Sequence, residues 1–148
     1  MTEAIIDPDR PHSRVTKVSR TRLSIGDEWD SVVARRHVGQ LAREAGLSER
    51  STRALATAIS EIVHNVVVHA KRGEMSLDVV EDLGRRGVVV VVRDGGPGIP
   101  EPSQAMQDGY STVGSLGLGL PSARRLVDEF DLVSIVGQGT TVVLKQWR

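Results

Sequence analysis

Four short groups of polar residues and glycines could together form a nucleotide site. Glu61 and Asn65 are four residues apart, so they share one face of any helix that contains them. Residues 94–98 (DGGPG), 114–119 (GSLGLG) and 139–141 (GTT) follow in that order. Each group alone is more typical of a turn or a solvated helix face. Their combination, separated by periodic segments, indicates a site that binds a nucleotide.

The first pair could hold a metal ion and move a proton. Mg²⁺ prefers oxygen ligands and often contacts only one or two protein groups plus phosphates, so the amide oxygen of Asn65 is the candidate ligand. Glu61 then stays available as a general base. Taken alone, Glu61 and Asn65 would more often be solvent-facing residues of an amphipathic helix than part of a site. The three later groups make the site the better interpretation.

Asp94 follows a valine-rich segment and opens the first glycine group. Its carboxylate could accept the exocyclic amine of adenine, while Gly96 and Gly98 remove side chains where a ligand could approach the backbone. The alternative is a tight turn in which Pro97 restricts one dihedral angle and Gly98 takes a positive φ.

The second glycine group leads directly into a segment with helical periodicity. Gly114, Gly117, Leu118 and Gly119 precede Pro121, which the first turn of a helix tolerates. Free backbone N–H groups at such a helix start suit phosphate oxygens. The group lacks the lysine of a Walker loop and the preceding strand of a dinucleotide fingerprint. A lid that binds no ligand is the alternative.

Composition limits the classes of protein. The length of 148 residues fits one domain, predicted at 14–148 after a flexible lead at 1–13. Nineteen Lys and Arg balance nineteen Asp and Glu, and 3% of residues are aromatic, so we expect no nucleic-acid or membrane partner. Cysteine is absent, which excludes disulfides and thiolate metal sites. No apolar run is long enough to cross a bilayer, so a cytoplasmic location is expected.

Hydrophobic periodicity predicts a two-layer α/β sandwich. Helices are predicted at 27–45, 48–70 and 120–130, and strands at 15–25, 75–80, 88–92, 132–136 and 140–145. The 88–92 segment is uniformly valine, which favours a central strand with both faces covered. The 15–25 strand is expected at an edge, and the turn between the second and third strands at 84–87. Val66, Val67 and Val68 are β-branched and lower the helix propensity directly after Asn65.

The ordered groups resemble the boxes of the GHKL (Bergerat-fold) ATPase superfamily, from the first predicted helix to Trp147. The matching residues are Glu61, Asn65, His69 and Ala70 for the N box, 94–98 and 114–119 for the two glycine boxes, and 139–141 for the adenine-side strand. The resemblance implies a Bergerat sandwich in which about three helices cover one face of a mixed, mostly antiparallel sheet. It also implies ATP and Mg²⁺ as cofactors.

The resemblance further implies a role for each matching residue. Asn65 would hold Mg²⁺, and Glu61 would take the proton of the substrate hydroxyl. Asp94 would bind adenine, with Thr140 or Thr141 nearby. The residues that would shape the site and receive phosphates are Gly96, Gly98, Gly114, Gly117, Leu118 and Gly119.

Within the superfamily, the size of the chain favours the stand-alone serine kinases of bacterial sigma-factor control. The 108–112 run (DGYST) resembles that of the stressosome switch kinases. This implies phosphorylation of serine or threonine on a STAS-domain scaffold or antagonist, followed by activation of a downstream PP2C-type phosphatase. The alternatives are an anti-sigma factor that sequesters a sigma factor with nucleotide-dependent affinity, and an interaction domain with an empty site. Pattern alone leaves a homodimer open.

Overall fold

A six-stranded antiparallel sheet forms one layer of the protein. The computed structural model describes residues 4–5, 15–99 and 119–148. In chain order the elements are β1 (Ala4–Ile5), β2 (Val15–Ile25), α1 (Trp29–Ala45), α2 (Glu49–Asn65), a π-helical turn (Val66–Ala70), β3 (Gly73–Asp82), β4 (Arg85–Asp94), α3 (Leu120–Leu126), β5 (Glu129–Ile135) and β6 (Gly139–Trp147). The strand order is β1-β2-β3-β4-β6-β5. All pairs of these strands are antiparallel, so the predicted α/β class is confirmed, without a parallel pair among the described strands.

The main core lies between the helices and one face of the sheet. Leu55, Ile59 and Ile62 of α2 are fully buried in one cluster with Leu77 of β3 and Val90 of β4. Burial of each such side chain contributes about 1.5–3 kcal/mol. The helix begins at a cap in which the Ser48 hydroxyl accepts the Ser51 N–H at 3.1 Å. This packing holds α2 rigidly across the sheet, and α2 is the helix that carries Glu61 and Asn65.

The central valine strand is covered on both faces, but not along its whole length. Val88, Val90 and Val92 face the helices, whereas Val89 lies on the opposite face in a second cluster with Val80 and Trp147. Val91, next on that face, is only half-buried. The prediction of a strand covered on both faces is therefore correct at Val89 and incomplete at Val91.

Two boundaries differ from the predicted elements. The helix predicted at 120–130 ends at Leu126, because Val127 is extended and Asp128 donates its N–H to Gln146 Oε1 at 2.8 Å. Phe130 instead lies in β5, where it packs against the core. The turn predicted at 84–87 is a two-residue turn at Leu83 and Gly84, both with positive φ, as a type I′ hairpin requires.

The N-terminal strands add little to the sheet edge. Ala4–Ile5, within the segment predicted as a lead, pairs with β2 at Thr16 and Val15. The sequence pattern did not predict this short strand. The rest of β2 has β3 as its one described neighbour, as expected for an edge position. In the described part of the chain, no helix is both long and apolar enough to span a membrane.

The sheet face opposite the helices contains a buried carboxylate. Asp78 on β3 is 2% exposed, and its Oδ2 lies 3.7 Å from Lys17 Nζ. Its Oδ1 has no hydrogen-bond partner among the described residues. Burial raises the pKa of Asp78 above its ordinary value, although Lys17, Arg20 and Arg22 act in the opposite direction. Because the folded-state pKa exceeds the unfolded one, this group lowers the stability of the fold as pH rises through that interval.

We expect Asp78→Asn to increase the free energy of unfolding by an amount that grows from acidic to neutral pH. The variant carries no charge to desolvate, so it lacks the penalty that the parent acquires once Asp78 ionises. Urea unfolding of both proteins at about pH 4 and about pH 7 measures the difference. Asp131→Asn, at an exposed position on β5, is the control. A difference that shrinks with rising pH would contradict the expectation.

Candidate nucleotide site

A pocket lies between the C-terminal part of α2 and one end of the sheet. Asn65, Asp94, Gly98 and Thr140 line it together with apolar side chains such as Val142. An apolar lining with a few polar groups is typical of small-molecule sites. The structure therefore brings together members of the N box, the first glycine box and the adenine-side strand, which are far apart in the sequence.

Asp94 has one oxygen fixed and one available. Its Oδ1 accepts the N–H of Gly96 at 3.0 Å and the N–H of Thr140 at 3.3 Å. Asp94 is the last residue of β4 and pairs with Thr140 across the ladder, which explains how one carboxylate reaches both groups. No described residue donates to Oδ2. The second oxygen can accordingly accept an N–H from a ligand, as a base-reading carboxylate must.

The glycines of the first box allow backbone segments to pack closely. A Cβ added at Gly96 would lie 2.6 Å from Cβ of Ala70 in the π-helical turn. Gly98 has a φ of +77°, and an added Cβ would lie 2.8 Å from the carbonyl carbon of Ile135. The Pro97 carbonyl also accepts the Gly137 N–H at 2.9 Å. In the described structure, these glycines join the end of β4 to its neighbours, and Gly98 also lines the pocket.

Only one of the two threonines reaches the pocket. Thr140 lines it, whereas Thr141 is the next residue of the same strand and its side chain points to the opposite face. The sequence left the choice open, and the structure places Thr140, and not Thr141, at the pocket.

The sequence pattern did not indicate Ser134. Its hydroxyl lies 2.8 Å from Thr140 Oγ1 and accepts the Ile99 N–H at 2.7 Å. Phe130 and Leu132 point from β5 into the core, and Ser134 continues that face. A small polar residue at a core-facing position is the signal that could have indicated it.

Asn65 is the last residue of α2 and is followed by an unusual turn. Val66–Ala70 forms a π-helical turn in which the Lys71 N–H donates to the Val66 carbonyl at 2.9 Å. The continuous helix predicted at 48–70 is therefore interrupted at residue 66. The β-branched valines of this segment weaken the α-helix, and π-helical turns are frequent at functional sites.

The residues near Asn65 fit Mg²⁺ bound together with phosphates. The buried Asn65 Nδ2 has no hydrogen-bond partner in the described residues. A half-turn about the Cβ–Cγ bond exchanges the amide nitrogen and oxygen, which would place the oxygen at that unpartnered position. The described residues contain no group of three or more His, Asp or Glu that could hold a metal by themselves. Mg²⁺, which keeps waters and uses substrate phosphates, is compatible with one protein ligand.

Glu61 lies one helical turn before Asn65 and contacts the end of the second glycine box. An added Cβ at Gly119 would lie 3.0 Å from Cβ and 3.1 Å from Cδ of Glu61. Gly119 has a φ of +83° and precedes α3. The residues of this box predicted to bind phosphates at Gly114, Gly117 and Leu118 lie outside the described residues, as does the 108–112 run.

Comparison with known proteins decides the family. A family model described as the histidine kinase-like ATPase domain matches residues 28–146. The chain belongs to this family. The match spans the described elements from α1 to β6 except the last residue of β6, and it confirms both the predicted superfamily and the use of ATP.

Relatives of this ATPase domain include serine/threonine-protein kinase RsbT of Bacillus subtilis (strain 168). It is 41% identical over 125 residues, which cover 84% of this chain and 94% of that protein. Anti-sigma F factor of Geobacillus stearothermophilus is 37% identical over 99 residues, or 62% of this chain and 66% of that protein. The long match to RsbT confirms the predicted class of enzyme, a protein serine/threonine kinase.

Two solved structures show the same fold. The RsbU and RsbW domains of Rv1364c from Mycobacterium tuberculosis align with a TM-score of 0.58 and 22% identity, over 86% of this chain and 33% of that one. The mycobacterial sensor histidine kinase MprB aligns with a TM-score of 0.51 and 14% identity, over 87% of this chain and 97% of that one. These similarities confirm the predicted sandwich.

In this ATPase domain, we expect Gly119→Ala to reduce phosphotransfer by about 10- to 100-fold. The variant would displace Glu61, the predicted general base, and a misplacement of about 1 Å can cost about 100-fold. The added Cβ would push against Glu61 and would also strain a backbone with positive φ. Gly137→Ala is the matched control, since Gly137 has a φ of +78° but no atom within 4 Å of an added Cβ. Both variants should lose about 1–2 kcal/mol of stability through the same strain. Equal rates in the two variants, measured with saturating nucleotide, would contradict the contact with Glu61.

Proposed function

We propose that the protein transfers the γ-phosphoryl group of Mg-ATP to a serine or threonine of a STAS-domain protein in bacterial sigma-factor signalling. The observation that carries this proposal is the placement of Glu61 on the same helix as Asn65, one turn from the pocket that Asp94 and Thr140 line. The similarity to serine/threonine-protein kinase RsbT supports it.

Each residue of the site has a distinct part in this proposal. Asp94 accepts the exocyclic amine of adenine through Oδ2, and Thr140 binds the adjoining edge of the base. Asn65 holds Mg²⁺, which neutralises phosphate charge when bound. The glycine box that ends at Gly119 supplies backbone N–H groups to the phosphates, at the start of α3.

Glu61 accepts the proton of the substrate hydroxyl. The hydroxyl oxygen then forms its bond to the γ-phosphorus, and the bond between that phosphorus and the bridging oxygen breaks to release ADP. A general base is needed because an unionised hydroxyl is a weak nucleophile. The carboxylate is half-buried, so it is held in place while it stays accessible to a protein substrate.

Incubation with labelled ATP, Mg²⁺ and the STAS-domain proteins of the same genome tests the proposal. We expect phosphoserine or phosphothreonine on one of them, and no transfer when Mg²⁺ is chelated or Asn65 is replaced by alanine. If no STAS-domain protein is phosphorylated while ATP binding is intact, the proposed substrate class is wrong.

Anti-sigma activity is the second candidate, favoured by the 37% identity to an anti-sigma F factor. A pull-down with the sigma factors of the cell, with and without ATP, separates the two functions. The switch-kinase proposal predicts no stable sigma-factor complex, but it does predict activation of a PP2C-type phosphatase after release from the STAS partner. We also propose that the protein acts in the cytoplasm. A homodimer stays a prediction, which the molecular mass of the purified protein in solution would test.

A further inference from the structure

Ser134 connects the pocket to the backbone that follows the first glycine box. It lies on β5 directly opposite Thr140 on β6. Its Oγ accepts the Ile99 N–H at 2.7 Å, lies 2.8 Å from Thr140 Oγ1 and lies 3.3 Å from the carbonyl oxygen of Gly139. One hydroxyl therefore contacts both the threonine that lines the pocket and the segment that leaves it.

The Ser134 hydroxyl can donate only one hydrogen bond. Ser134 has one proton, and one of its lone pairs is taken by the Ile99 N–H. If Ser134 donates to the Gly139 carbonyl, Thr140 must donate to Ser134 and offers only lone pairs to the pocket. If Ser134 donates to Thr140, the Thr140 proton is free to bind a ligand. In both arrangements Ser134 constrains the Thr140 hydroxyl, and only the second leaves the Thr140 proton available to a ligand.

The ligand atom next to Thr140 follows from the position of Asp94. The Thr140 N–H donates to Asp94 Oδ1, and both residues line the same pocket. A base whose amine at C6 binds Asp94 presents its neighbouring ring nitrogen, N1, on the same edge. In adenine N1 is an acceptor, and a donating Thr140 matches it.

We propose that Ser134 is a positioning residue for base recognition: it orients the Thr140 hydroxyl so that it donates to N1 of adenine. This inference rests on the proposed function, because it requires that adenine occupies the pocket. Ser134 touches no reacting atom, and its effect on the reaction passes through Thr140.

Binding of ATP and of 1-deaza-ATP, which has a carbon at N1, tests the inference by calorimetry. The parent should prefer ATP over 1-deaza-ATP by about 5- to 10-fold, the value of one net hydrogen bond. Ser134→Ala should weaken ATP binding by a similar factor and bring that preference to within about two-fold, since the Thr140 donor is no longer oriented. Ser134→Thr keeps the hydroxyl and should retain the preference. In 7-deaza-ATP a carbon replaces N7 and N1 is retained. Each variant should therefore change the affinity for 7-deaza-ATP by the same factor as the affinity for ATP.

Further controls separate positioning from stability. Ser76→Ala removes a serine from β3 that lies on the opposite face of the sheet, and it should bind both nucleotides like the parent. Thermal unfolding without nucleotide shows whether each variant folds, and Ser134→Cys, with a weaker hydrogen-bonding group of similar volume, gives a second test. It should reduce the N1 preference.

The outcomes distinguish this inference from the proposed function. An unchanged N1 preference in folded Ser134→Ala or Ser134→Cys, beside a parent that binds ATP, would overturn the role of Ser134 alone. Absence of ATP binding by the parent would overturn the proposed function and this inference with it.

Discussion

Replacement of Glu61 by glutamine should reduce phosphotransfer by at least about 100-fold, within the range of general-base catalysis. Glutamine has nearly the same volume and can still form hydrogen bonds, but its amide cannot take a proton from a hydroxyl. ATP affinity should stay within about two-fold of the parent, a difference of about 0.4 kcal/mol. Single-turnover transfer to the STAS-domain substrate, with nucleotide binding measured in parallel, gives both quantities.

The same helix supplies a control for that variant. Glu49 lies exposed in the first turn of α2, so Glu49→Gln makes the identical chemical change away from the pocket. It should transfer phosphate at the parental rate. If Glu61→Gln does so too, another group is the base, whereas loss of ATP binding in Glu61→Gln would indicate a role in nucleotide binding instead.

Replacement of Asp94 by asparagine should weaken ATP binding on the order of 100-fold. The charge-assisted hydrogen bond is lost, and the N–H groups of the new amide face those of the adenine amine. The N–H groups of Gly96 and Thr140 converge on Oδ1, so they should keep the amide oxygen there. The amide nitrogen would then point toward the adenine amine. Titration calorimetry with ATP measures the loss.

A second nucleotide tests the geometry behind this expectation. ITP carries an oxygen at C6, which accepts a hydrogen bond where ATP donates one. Asp94→Asn should therefore bind ITP better relative to ATP than the parent does. Asp131→Asn, which removes an exposed carboxylate from β5, should leave both affinities unchanged. Equal loss of ATP and ITP binding in a folded Asp94→Asn would mean that Asp94 supports the loop and does not select the base.

Local patterns predicted much of the fold because periodicity reports which face of a helix or strand is buried. The spacing of Glu61 and Asn65 placed both on one face of α2, and the run of valines identified β4 as a central strand. Boundaries were less well predicted. The end of α3 depends on Asp128 and Gln146, which meet only when β6 lies beside that segment.

The sequence could predict which residue types form the candidate site. It could not predict how those residues are arranged in space. The choice between Thr140 and Thr141 depends on the register of β6 against β4, since a shift of one residue exchanges the two faces of a strand. The contact of Ser134 with Ile99 escaped prediction because the two residues are 35 positions apart. No local pattern connects two such positions.

The sequence by itself determined the superfamily and the groups that we propose to bind a nucleotide, because box order and residue chemistry are properties of the chain. Tertiary structure decided which of those groups meet. Three features arise where α2, the π-helical turn and the sheet converge. They are the contact of Gly119 with Glu61, the packing of Gly96 on Ala70, and the Asp94 oxygen to which no described residue donates. Close packing between elements distant in sequence sets these distances, and residue spacing along one element does not encode them.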